Sequence, residues 1–317
     1  MNNQLLHEKN YTAWQRIWVY QKERFPIARF GILSLAFSFC GVCISRLMLS
    51  LISWPSFSSA LVAFIGTFTF FLQLRFLDEF KDYEVDKKYR PERAVPRGLV
   101  TLTHIKWALI LSLIIQFALV FWLNPRLLIV LVAVWIYIAL MTVEFFAADW
   151  LKPRLLVYMW SHMLIMPIID LFATGADWML YGWLPPSGLL VFLVVSFFNG
   201  LMVELGRKIW SPSQERAGVD SYSSYCGLNK ALRLFQTVML CAYACILVVG
   251  YQVGFFIPVV CLMSALLLTG LYIIRQFSRQ PEKEGIAKKL ENFSGLWVVL
   301  SYLTLGVIPL GYAIWLH

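Results

Sequence analysis

The chain has 317 residues, of which 60% are hydrophobic and 14% charged, with a formal charge of +9. Soluble domains carry about a quarter charged residues, so this composition excludes an ordinary globular enzyme. It points instead to an all-α, polytopic membrane bundle, in which apolar runs of about 20 residues cross the lipid bilayer between short charged clusters. The surplus Lys and Arg residues sit in alternate loops, the positive-inside pattern of a membrane protein, and no nucleic-acid partner is expected.

Residues 10–29 interleave Trp14, Ile17, Trp18 and Tyr20 with Arg16, Lys22 and Arg24, the pattern of an amphipathic helix on a membrane surface. Residues 1–26 are too charged and aromatic for a secretory signal. They are read as a cytoplasmic N-terminal segment ahead of a single transmembrane domain over 27–317. About nine spans are predicted, near 27–51, 57–77, 105–123, 126–146, 155–174, 189–205, 231–250, 255–274 and 293–316. Arg46 in the first must snorkel or find a partner. In the fifth, His162 and Asp170 are too costly to face lipid, and a helix-to-helix hydrogen bond is the expected role of each. Cys40 and Cys43 have CxxC spacing, but no second pair or nearby His completes a zinc site, so they read as small buried apolar residues. The N-terminal segment and the charged loops fall on one face, which is expected to be cytoplasmic, with the C-terminus outside. In a bacterium that membrane would be the inner one.

The densest charge lies in residues 74–98, LRFLDEFKDYEVDKKYRPERAVPRG, at the end of the second span. Asp78, Asp82 and Asp86 recur every fourth residue, within roughly 80° of one another on a helix. Like charges at that spacing disfavour a helix by a few tenths of a kcal/mol per pair, roughly, and a bound divalent cation would offset this. Arg90, Arg93 and Arg97 follow, around Pro91 and Pro96. Carboxylates beside guanidinium groups suit a phosphate held partly through Mg²⁺ and partly by charge-assisted hydrogen bonds. A second polar cluster, four spans later, contains Glu204, Arg207 and Lys208, with Glu215 and Asp220 beyond. Two half-sites facing one central cavity are expected, and such a cavity would take a molecule with a polyanionic head and an apolar tail, such as a prenyl diphosphate.

The first cluster resembles the first signature of the UbiA superfamily of intramembrane aromatic prenyltransferases. Its pattern is Asn or Asp, then Asp at the fourth and eighth positions after it, then RPxRPxPxG. Asp78, Asp82 and Asp86 match the acidic positions, and Arg90, Pro91, Arg93, Pro96 and Gly98 match the rest, with Ala94 in place of the usual Pro. The family's second signature, two Asp four residues apart followed by Arg-Lys, is degenerate. Met202 and Gly206 stand at the Asp positions, only Glu204 between them is acidic, Arg207 and Lys208 match, and GVDSY from Gly218 resembles the later turn.

The resemblance implies nine spans around a cavity, with Mg²⁺ held by Asp78, Asp82 and Asp86 with help from Glu204, or from Glu215 or Asp220. It implies that Arg90, Arg93, Lys152, Arg207 and Lys208 hold the diphosphate while a lipophilic, aromatic acceptor attacks carbon one of the prenyl chain. Alternatives are a cyclase of the same superfamily that needs no acceptor, and a non-catalytic lipid-binding or transport relative, the latter suggested by Glu144 and Asp170.

Overall fold

The computed structural model describes residues 11–215 and 219–316. The first ten residues of the N-terminal segment, and Gly218 of the second cluster, lie outside the described residues. Those described form helices α1 (Ala13–Arg24), α2 (Ile27–Met48), α3 (Phe57–Lys81), α4 (Tyr83–Tyr89), α5 (Leu102–Leu123), α6 (Leu128–Thr142), α7 (Ala148–Leu151), α8 (Leu155–Met163) and α9 (Ile165–Trp178). They continue with α10 (Leu189–Lys208), α11 (Tyr222–Cys226), α12 (Leu228–Gln252), α13 (Phe256–Arg279), α14 (Ile286–Leu305) and α15 (Val307–Leu316).

Among the described residues, nine helical stretches are long and apolar enough to cross a membrane, each coinciding with an expected span. Two of them are broken. The fifth divides between α8 and α9, and the ninth between α14 and α15. One cause serves both. Pro167 lacks an N–H and its ring crowds the carbonyl four residues back, at Met163, where α8 ends; Pro309 does the same to Leu305, where α14 ends. At the second break Gly306 lies against the backbone of α2, where an added Cβ would stand 2.6 Å from the Cys40 carbonyl oxygen.

Helices adjacent in sequence pack side by side, and α14 returns to α2, so the spans close into a ring. Lipid is as apolar as the helix surfaces, so close packing and polar bonds between helices, rather than hydrophobic attraction, drive their pairing. Gln73 of α3 donates to Ser112 at 3.0 Å and to Gln116 at 2.8 Å, both on α5, and Trp135 of α6 donates to Gln116 at 2.8 Å. Asn199 of α10 donates to Ser301 of α14 at 2.9 Å. Asp170 of α9 accepts from the Tyr302 hydroxyl of α14, the helix-to-helix bond expected of it. Arg46 pairs rather than snorkels: its Nε is 2.9 Å from Asp177 Oδ1, while the Ser45 hydroxyl donates to Oδ2 at 2.8 Å. Cys40 and Cys43 are buried free thiols.

Removing one member of a buried pair strands the other. Arg46→Ala should therefore lower stability by about 3 kcal/mol, and the double change with Asp177→Ala by less. Thermal unfolding of the detergent-solubilised protein measures both.

Candidate active site

The acidic ladder crosses a junction between two helices. Span two continues to Lys81, so Asp78 lies within its last turn, Asp82 (φ −95°, ψ 4°) joins the two helices, and Asp86 belongs to α4. Backbone hydrogen bonds run through the junction, from Asp82 N to the Asp78 carbonyl at 2.9 Å and from Asp86 N to the Asp82 carbonyl at 2.8 Å.

The three carboxylates have different surroundings. Asp78 is 48% exposed at its side chain, with Arg75 at 3.5 Å, and Asp82 beside it is partly exposed with no ion pair among the described residues. Asp86 is buried, its Oδ2 2.5 Å from Arg93 Nη1 and 3.9 Å from Arg24 Nη2, its Oδ1 3.4 Å from Arg90 Nη1. Arg24 also places its Nε 2.5 Å from Glu79 Oε1, and Arg97 bonds Glu23 at 2.8 Å, so the C-terminal turn of α1 is tied to the ladder and to the loop that follows it. Burial, and then the nearby Glu79 carboxylate, raise the Tyr20 phenol far above its usual range and keep it neutral.

The second cluster centres on Glu204. Its Oε2 accepts from Arg207 Nη2 at 2.5 Å, its Oε1 lies 2.9 Å from Lys208 Nζ, and the Tyr222 hydroxyl approaches at 3.5 Å. Burial and the Glu204 charge push that phenol well above its usual range. Arg207 is more than half exposed at its side chain, and Asp78 is near enough for its carboxylate to act on that charge.

Packing leaves no room for an acidic pair at Met202 and Gly206. Met202 is fully buried, and a Cβ at Gly206 would stand 2.8 Å from the Ser294 Cβ and 3.5 Å from the Glu291 Cα of α14. The ninth span occupies the room an Asp would need. Glu215 accepts from the hydroxyls of Ser221 at 2.7 Å and Ser223 at 2.6 Å, closing its own loop, and Asp220 is exposed. Lys152 is exposed just after α7.

Sequence reasoning missed Arg24, Lys81, Tyr158 and Tyr222. Lys81 Nζ is 2.5 Å from Glu144 Oε1 and donates to the Tyr158 hydroxyl at 2.8 Å. Its position between two ladder carboxylates was a usable signal; the two tyrosines, among many aromatic residues, had none.

Among the described residues no three His, Cys, Asp or Glu side chains converge as a closed metal cage. Mg²⁺ needs none, since it takes one or two carboxylates with water and phosphate oxygens. Asp78 and Asp82, one turn apart and both reachable by water, fit that donor set. Asp86 and Glu204 already have both carboxylate oxygens in ion pairs.

A ring of membrane-length helices with an acidic and a basic cluster at one end defines a polytopic all-α membrane protein. The chain belongs to the UbiA prenyltransferase family, whose model matches residues 34–299. Among curated proteins no sequence matches it. Its fold is similar to that in a structural study of digeranylgeranylglyceryl phosphate synthase, at 18% identity over 93% of this chain and 99% of that one, with a TM-score of 0.62. An apo UbiA homolog from Aeropyrum pernix K1 is 14% identical over 90% of this chain and 97% of its own, with a TM-score of 0.66. A UbiA homolog from Archaeoglobus fulgidus, bound to DMAPP and Mg²⁺, is 12% identical over 90% of this chain and 98% of its own, with a TM-score of 0.55.

Gly206→Asp should fail to restore a second acidic site and should instead destabilise the protein by about 2 kcal/mol through overpacking against Ser294. Gly206→Ala should act in the same direction. Melting temperatures of the two variants check this.

Proposed function

We propose that the chain is a Mg²⁺-dependent membrane prenyltransferase that moves a prenyl group from a prenyl diphosphate to a lipophilic, aromatic acceptor. The observation that carries this reading is the pair of partly exposed carboxylates, Asp78 and Asp82, with the Arg207 guanidinium near enough to feel the Asp78 charge, at the charged end of an apolar bundle. Support comes from the Archaeoglobus fulgidus homolog, which has been studied with DMAPP and Mg²⁺ and with GPP and Mg²⁺. The positive-inside distribution of Lys and Arg supports a cytoplasmic charged face and an outer C-terminus.

In this reading Asp78 and Asp82 hold the metal, which when bound neutralises charge on the diphosphate. Arg207 and Lys208, steadied by Glu204, and Arg90 and Arg93, steadied by Asp86, offer N–H donors to the diphosphate oxygens. Lys152, exposed after α7, can swing to the same head group. Donors aimed at the leaving group stabilise the negative charge that develops as the C–O bond to carbon one breaks. The apolar bundle shelters the allylic cation from water until the acceptor attacks.

Asp82→Asn should reduce diphosphate release from geranyl diphosphate by on the order of 10²-fold or more with the fold intact, and chelation of Mg²⁺ should do the same to the wild type. Retained turnover in either case would overturn the assignment. Asp86→Asn separates positioning from metal binding. It should raise KM for the prenyl diphosphate by roughly tenfold, the loss of one oriented hydrogen-bonding partner, and leave the Mg²⁺ concentration for half-activation unchanged.

A further inference from the structure

A cluster of buried polar groups lies beside the ladder and is used by none of the steps above. Glu144 sits just past α6, where Glu144, Phe145 and Phe146 take φ of 52°, 52° and 57° in succession. Non-glycine residues rarely enter this left-handed region, and three together persist only where their surroundings hold them. The anchor here is Lys81, whose ammonium is 2.5 Å from Glu144 Oε1; the Tyr158 hydroxyl lies 3.3 Å from the same oxygen. The other carboxylate oxygen, Oε2, faces His162 Nε2 at 3.4 Å.

His162 is held firmly. Its ring stacks on Tyr158 at 3.8 Å between centroids, and the Phe145 edge meets it at 5.7 Å. Its Nδ1 lies 2.9 Å from the Tyr158 backbone carbonyl. A carbonyl can only accept, so Nδ1 carries a proton in either charge state, and Nε2 presents a lone pair whenever the ring is neutral. In that state two acceptors, Nε2 and Glu144 Oε2, point at each other. Neither has a hydrogen-bond partner, and the residues are only 8% and 4% exposed. Buried polar atoms are rarely left in this state, and here one proton placed between them satisfies both.

Resting on the reading of the chain as a prenyltransferase, we propose that His162 and Glu144 form the proton-accepting pair of the reaction, taking the proton that the acceptor sheds on prenylation. The balance is complete without a redox partner. The C–O bond to carbon one breaks with its electrons on the diphosphate, the acceptor's electron pair makes the new bond to that carbon, and its proton passes to His162 Nε2, shared with Glu144 Oε2. The groups around the pair agree with this use. Lys81 faces it from α3, Tyr158 from α8 itself, and Glu204 lies within electrostatic range from α10. From α6, the Tyr137 hydroxyl is occupied by the Ser161 carbonyl at 2.6 Å, so it offers no competing proton. Lys81 lies between Asp78 and Asp82 in α3, so the pair sits one ion pair away from the diphosphate end of the site.

The full chain in detergent or nanodiscs, labelled with ¹⁵N-histidine, tests the pair directly. Only four histidines are present, and His162→Gln identifies the signal. The expected result is an Nδ1–H tautomer at high pH that gains a second proton as pH falls, with that step moved to lower pH in Glu144→Gln. An Nε2–H tautomer, or a step that Glu144→Gln does not move, would overturn the proposal.

With geranyl diphosphate and a phenol as probes, His162→Gln should lower kcat by about 10²-fold with KM for the diphosphate unchanged. It should also remove the acid-side fall in kcat, which in the wild type reflects prior protonation of the pair. An unaltered kcat and pH profile, or an effect confined to KM, would equally overturn the pair's role. Should the wild type fail to turn over these probes, the prenyltransferase reading itself is in error, while the histidine spectrum still decides whether the proton site exists.

Discussion

The bundle is organised by the cost of leaving a charge unpaired in an apolar interior. Desolvation of a single ion costs several kcal/mol, roughly, so each buried carboxylate here is met by a cation or a hydroxyl from another element. Asp177 has Arg46, Asp170 has Tyr302, Glu79 has Arg24, Glu144 has Lys81, and Asp86 has Arg93. These pairings bind helix to helix where hydrophobic attraction is weak. They also decide which acids remain available for chemistry. Asp78 and Asp82 stay beside water because the charges behind them are already matched.

That constraint places α1 within the architecture of the site. Its exposed face carries Trp14, Ile17 and Trp18, while its inner face sends Tyr20 and Arg24 to Glu79. The family match begins at residue 34, after this helix ends. The element that steadies the ladder from outside thus lies ahead of the matched region.

Much of the fold could be read from sequence because its strongest signals are local. Apolar run length sets the spans, and the coincidence extends to all nine. Pro167 and Pro309 mark the two breaks by the same local physics. The ladder was legible by spacing, but the difference among its carboxylates was not. Asp86 turns inward because Arg24, Arg90 and Arg93 converge on it, and a convergence of residues from separate elements leaves no periodic trace. Lys81 and Glu144, 63 positions apart in the sequence, meet for the same reason. The absence of the second acidic pair was visible, whereas the close approach of α14 at Gly206, which leaves no room for it, required the packing.

That close approach makes the two halves of the site chemically unlike. One presents carboxylates to solvent; the other presents Arg207 and Lys208 against a single Glu204, a small excess of positive charge. On the function proposed above, the site would be polar along one axis, with a fixed-cation side at Arg207 and Lys208 and an exchangeable-cation side at Asp78 and Asp82. On the function proposed above, occupancy of the polyanion would follow the free divalent ion to the first power, since only one side borrows its charge from solution. The ninth span, by its thickness at one glycine, would then set the order of that dependence.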